Sequence, residues 1–179
     1  VALCQEPEEK RVTTTGAAIL KEDKMVGKLD TKELAVYQSM INNIKESNLT
    51  IENPEDSGHL ISLLILKNKA KQDIEYDGEK VILKMQIDLL TSIMGIEGNT
   101  KIMDKEKEIV EAASKEVEKR GKELFYKFQE QNIDLFHIGT DLSRKYPNVH
   151  VPNILENAEI ELDVRVKIES SQNITDFQR

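Results

Sequence analysis

The chain has 179 residues, 39% hydrophobic and 32% charged, and its 33 acidic against 25 basic side chains leave a net charge of −8. That length can bury one sizeable core. The acidic balance, with no basic run longer than two residues, speaks against a nucleic-acid surface, and the single Cys4 excludes an internal disulfide and a multi-cysteine metal site.

No apolar run approaches the ~20 residues of a membrane-spanning helix, and the first residues lack the basic region and apolar core of a signal peptide. Residues 1–12, with Gln5-Glu6-Pro7-Glu8-Glu9, read as a polar linker or disordered lead-in. Residues 13–20 read as a strand, 21–24 as a charged turn and 25–29 as a returning strand. Gly27 inside that strand points to a bulge or a close backbone approach. Asp30 with Glu33 three residues on makes a capping-box start. Leu34, Tyr37, Ile41 and Ile44 then recur at helical spacing, so the pattern predicts a helix over 31–45. A short strand follows over 48–52, closed by Pro54.

The stretch 60–97 organises the rest. It reads as two long strands joined at Tyr76-Asp77-Gly78-Glu79, where Asp-Gly suits a type I′ turn with positive φ at both central residues. In the second strand Val81, Leu83, Met85, Ile87 and Leu89 alternate with Ile82, Lys84, Gln86 and Asp88, giving one apolar and one polar face. A hairpin this long needs a cover. A helix over 104–130, capped by Asp104, supplies it through Ile109, Ala113, Val117, Leu124, Phe125 and Phe128. Gly121 weakens that helix by about 1 kcal/mol relative to alanine but permits a close crossing over the sheet. Residues 134–146 read as a short helix that stops before Pro147, 159–169 as a final alternating strand, and 170–179 as a flexible polar tail. The whole is an α+β domain over 13–169. Its antiparallel or mixed sheet has about five or six strands, the last pairing in either direction, under the helices 31–45, 104–130 and 134–146.

Chemistry is scarce. No metalloprotease, phosphate-loop, dinucleotide, nucleophile-elbow or calcium-loop motif is present. His59, His137 and His150 are scattered rather than clustered as metal ligands are. His59 reads as a solvated turn residue, His137 as a packed ring bonded to backbone, and His150 as a partner for Tyr146 or an acid. The carboxylate pairs Glu8-Glu9, Glu22-Asp23 and Glu55-Asp56 lie in turns or in the lead-in, and Cys4 has no orienting base in view. No catalytic, cofactor or metal residues emerge. On helical spacing, Asp134, His137, Asp141 and Arg144 share one face of the 134–146 segment, opposite Leu135, Ile138 and Leu142. The segment is a covering helix at the least, and its polar face is the candidate docking surface.

Two stretches resemble the C-terminal domain of the spore-germination C-subunit lipoproteins, the Ger(x)C family. The first runs from Gly16-Ala17-Ala18-Ile19-Leu20 through Asp23-Lys24 to Val26-Gly27-Lys28-Leu29. The second runs from Gly121 and Phe128 to Asp134-Leu135-Phe136-His137-Ile138-Gly139, Arg144-Lys145 and Tyr146-Pro147. A tryptophan-containing stretch frequent in the family after the proline is replaced here by Asn148-Val149-His150-Val151-Pro152. The resemblance implies a non-catalytic interaction domain of a nutrient germinant receptor, without a cofactor. It also implies integral-membrane partner subunits and a lipid anchor outside this fragment, on the outer face of the spore inner membrane, the fragment itself being soluble. A small-molecule (germinant) binding module and an uncharacterised hydrolase are the alternatives. The first requires a preformed pocket, the second shifted pKa values gathered in one cleft.

Overall fold

A computed structural model of the chain describes residues 2–8, 11–41, 47–98 and 105–169, with side chains described from Thr15 onward. Among the described residues seven strands form two sheets, and three helices cover one face of the larger. The three-stranded sheet is antiparallel, in the order β1 (Ala2–Glu8), β2 (Arg11–Lys21), β3 (Lys24–Asp30). The first of these corrects the expected lead-in. Residues 2–8 pair with 11–18 of the next strand, so backbone pairing orders a stretch whose polar composition reads as linker.

The β2–β3 turn lies over the charged residues 21–24, with Glu22 at φ 55. Gly27 meets both expectations. The register slips beside it, and a Cβ there would stand 3.1 Å from the Phe128 ring and 3.2 Å from Ile133. Asp30 caps α1 (Thr31–Met40) by a full capping box: its Oδ1 accepts from the Glu33 amide at 2.8 Å, and the Glu33 carboxylate accepts from the Asp30 amide at 2.9 Å. The helix ends at Met40 rather than 45, and residues 42–46 lie outside the described ones.

The four-stranded sheet runs β4 (Ser47–Glu52), β5 (Leu60–Tyr76), β6 (Val81–Ile96), β7 (Ala158–Ile168). It is mixed, because β7 pairs with β6 in parallel from Val81↔Ala158 to Thr91↔Ile168. After β6 the chain passes through a long helix and returns beside the start of that strand, which makes the pairing parallel. The β5–β6 connection is not the type I′ turn. Only Gly78 has positive φ (102°), while the Asp77 side chain accepts from the Glu79 and Lys80 amides at 2.9 and 2.8 Å. An Asx-type turn therefore replaces the left-handed Asp.

The cover is α2 (Glu106–Glu130), which buries Ile109, Ala113, Val117, Leu124, Phe125 and Phe128. Its N-cap is Lys105, with no side-chain bond, and Asp104 lies outside the described residues. Gly121 does not break the helix. A Cβ there would stand 2.7 Å from Leu162 of β7, so the glycine lets helix and sheet touch. On β6 every residue from Val81 to Ile93 on the odd positions is buried, as the alternation predicts. The opposite face of the sheet carries the half-buried and exposed residues. The last helix, α3 (Ile138–Lys145), is shorter than the predicted 134–146. The tail 170–179 lies outside the described residues.

Candidate functional site

The four docking candidates do not share a helical face. Asp134 precedes α3 and turns inward, its Oδ1 accepting from the Ile138 amide at 2.8 Å and its Oδ2 from the Gly139 amide at 3.0 Å. It satisfies the first amides of the helix, which have no intrahelical acceptor. Leu135 and Phe136, next in the chain, are buried under the helices. The Phe136 ring meets Tyr37 at 6.0 Å and Phe125 at 6.2 Å between centroids. To turn from that buried ring into α3, His137 takes a left-handed conformation (φ 57, ψ 34), and its side chain faces solvent rather than packing. Only Asp141 and Arg144 of the quartet lie on α3 itself, held together at 3.3 Å.

The helix is fixed from below by Ile138 and Leu142, each 1% exposed, and from the side by β5. Gln72 Nε2 donates to Asp141 Oδ2 at 2.8 Å and to the Phe136 carbonyl at 2.9 Å. Lys145 Nζ meets both oxygens of Asp73, at 2.6 and 2.9 Å. That hydrogen bond from Lys145 holds the Asp73 carboxyl below its ordinary pKa and raises the Lys145 ammonium above its own. Tyr76 and Tyr146 meet edge to face at 6.3 Å.

Between the end of α1, β5 and α3 a cleft of about 400 Å³ opens. Met40, Ala70, Leu135 and Phe136 give it an apolar floor, and Gln72, His137, Thr140, Asp141 and Arg144 give it a polar rim. Arg144 leaves 77% of its side chain exposed there. The sequence reading reached His137, Asp141 and Arg144. It missed Met40, Gln72 and Thr140, because the three elements that meet here are separated by tens of residues and no local pattern announces their meeting. Thr140 alone had a signal, as an exposed neighbour of Asp141.

Other candidates are dispersed. Glu55 binds Lys105 at 3.0 Å, Asp56 stands 3.2 Å from the exposed His59, and His150 is exposed. Cys4 sits opposite Gly16 on β1. Asp77 is a second carboxylate whose pKa is lowered, by the amide of Lys80 and then that of Glu79. Among the described residues no three His, Cys, Asp or Glu side chains gather in a metal-binding group, and no helix is long and apolar enough to cross a membrane.

The fold class has a solved counterpart. The chain is similar to the crystal structure of the GerBC protein, with a TM-score of 0.75 and 20% identity, over 94% of this chain and 56% of that one. This chain thus spans just over half the length of that protein, and at such identity the likeness is one of fold. No curated protein matches the sequence significantly. The sequence itself supplies the family: residues 15–172 match the family described as "Spore germination B3/ GerAC like, C-terminal", and the chain belongs to it. Membership agrees with the family resemblance carried by the opening hairpin and the Asp134–Pro147 segment, and it ties the chain to spore germination.

Proposed function

We propose that this chain is a non-catalytic protein-interaction domain of a nutrient germinant-receptor C subunit, and that the cleft beside α3 is a contact point for a receptor partner. Its family membership supports the receptor role. The observation that carries the contact point is the cleft's composition: an apolar floor, an exposed Ile41 at its lip, and a rim whose Arg144 projects into solvent. Protein contacts use such a mixture of apolar centre and charged rim. Within this reading the integral-membrane receptor subunits are the partners. A lipid anchor outside this fragment would hold the subunit at the outer face of the spore inner membrane.

The test is site-specific photo-crosslinking in spore membranes, with the reactive side chain placed singly at Thr140, Arg144 or, as a control, Glu116 on α2. Crosslinks to membrane subunits from Thr140 and Arg144 but not from Glu116 are expected. Crosslinks from Glu116 alone would move the contact off α3. The cleft also gives the small-molecule reading a specific footing, since about 400 Å³ lies within the usual range of ligand sites. Calorimetric titration with candidate nutrients, repeated on Thr140→Trp to fill the cleft, separates it from docking. Heat that disappears in the filled variant is the signature of ligand binding.

A further inference from the structure

We propose that the uncovered face of the four-stranded sheet is a docking strip for an acidic polypeptide segment, built on Lys67, Lys69, Lys71, Arg165 and Lys167. The registers place these side chains on three successive rungs: Lys67–Leu90–Lys167, Lys69–Asp88–Arg165 and Lys71–Gln86–Asp163. Residues directly opposite one another share a sheet face. The neighbouring Met85, Ile87 and Leu89 point into the core, so these rungs point away from the helices. All five basic side chains are exposed.

Charge pairing separates this strip from the rest of the same face. Towards the β5–β6 turn the charges are closed within the protein: Lys84 bridges Glu75 at 2.7 Å and Glu161 at 3.6 Å, Lys80 binds Glu159, and Lys145 binds Asp73. Arg165 holds Asp163 at 2.6 Å. Lys67, Lys69, Lys71 and Lys167 have no ion-pair partner among the described residues. Four unpaired cations on one small area are notable in a chain of net charge −8.

The dimensions select the occupant. Alternate residues on a strand lie about 6.6 Å apart and β5 is two strand spacings, about 9.5 Å, from β7. The strip is therefore about 13 Å long and about 10 Å wide. An extended segment with carboxylates at every second residue repeats the same spacing. A shallow trough of about 490 Å³ adjoins the strip at Lys71 and runs towards Asp73, Lys84 and Glu161, whose acids mark where the basic strip ends. An anionic bilayer fits less well. Laid flat on this sheet it would press on Glu159 and Glu161 towards the turn as well as on the strip, whereas a narrow segment along the rungs meets only Asp88 and the Arg165-paired Asp163 among the acids.

The probe is a fluorescent oligoglutamate peptide, read by anisotropy at low and at physiological salt. The strip variant is Lys67→Gln/Lys69→Gln/Lys71→Gln. The control is Lys21→Gln/Lys24→Gln/Lys28→Gln, which removes three equally unpaired lysines from the other sheet. The expected result is salt-sensitive binding that weakens about tenfold in the strip variant and changes less than about twofold in the control. Arg165→Gln/Lys167→Gln, altering a different strand, is expected to weaken it as well. All substituted side chains are exposed, and unchanged far-UV circular dichroism verifies folding. Absence of binding by the native chain, or equal loss in strip and control variants, overturns the proposal. So does binding to phosphatidylglycerol vesicles that the strip variant abolishes while peptide affinity stays constant, which would assign the lysines to a membrane.

Discussion

Gly16→Ala tests how closely the small sheet approaches the start of α1. Gly16 lies opposite Cys4 on one side and Asp30, the cap of α1, on the other, at φ +153. A Cβ there would fall well under 3.0 Å from the Leu29 carbonyl oxygen and 3.2 Å from its carbon. Both are backbone atoms, so no rotamer change relieves the overlap. Two costs add: about 1–3 kcal/mol for a conformation open mainly to glycine, and about 1–3 kcal/mol for overlap at a packed site. We expect a loss of about 4 kcal/mol, a large part of the roughly 5–15 kcal/mol that holds a domain together. Gly78→Ala is the internal reference. Its φ is +102 but a Cβ would meet nothing within 4 Å, so it carries the conformational cost alone. Urea unfolding followed by circular dichroism should separate the two variants by about 2 kcal/mol at equal m-value. Equal destabilisation would refute the reasoning, because it would mean that the β3 backbone moves aside at no cost.

Phe128→Ala empties the site beneath Gly27 and should cost about 3–5 kcal/mol in the same unfolding assay. Asp30→Ala removes the acceptor for the Glu33 amide and should cost about 1 kcal/mol; a neutral result would show that α1 is held by packing alone. The pH dependence follows from Asp73. Its folded pKa lies below the unfolded one, so its contribution is present above the unfolded carboxylate range and is lost as pH falls through the lowered folded value. A carboxyl-carbon NMR titration should find the Asp73 midpoint below about 3.9, and Lys145→Met should raise it, the Ile74 amide and Lys84 remaining to lower it; an unmoved midpoint would remove Lys145 as the main cause.

What was legible in the sequence is what short-range periodicity encodes. The alternation in β6 and β7 and the apolar stripe of α2 each repeat within a few residues, so the covered face of the sheet and its cover could be read directly. The capping box at Asp30 was legible for the same reason. The strand at 2–8 was not, because its order comes from backbone pairing with β2 and leaves no apolar alternation. The Asp77-Gly78 turn misled because aspartate has two ways to make a turn, and here its side chain accepts amides instead of its backbone turning left-handed. The quartet on 134–146 misled similarly. Helical spacing counts residues but does not reveal that Asp134 stands outside the helix and caps it, or that a buried Phe136 forces His137 out of helical geometry.

Surface sites are hidden from the sequence by a further step. In the sequence Lys67, Lys69 and Lys71 share the parity of the buried Ile61, Leu63 and Ile65, and a register shift between Ile65 and Lys67 turns them to the uncovered face. The register also settles their pairing. Once Lys84 stands between Glu75 and Glu161 and Lys80 reaches Glu159, the acids near the turn are committed to internal pairs, and the lysines further along the same strands are left without partners. Exposed pairs of this kind contribute little to stability, with a median of about 0–1 kcal/mol, so folding gives no strong reason for one end of the face to be paired and the other not. A segregation that stability does not require is where a charged partner has the most to gain, because cations free of internal partners need break no existing contact to accept a carboxylate.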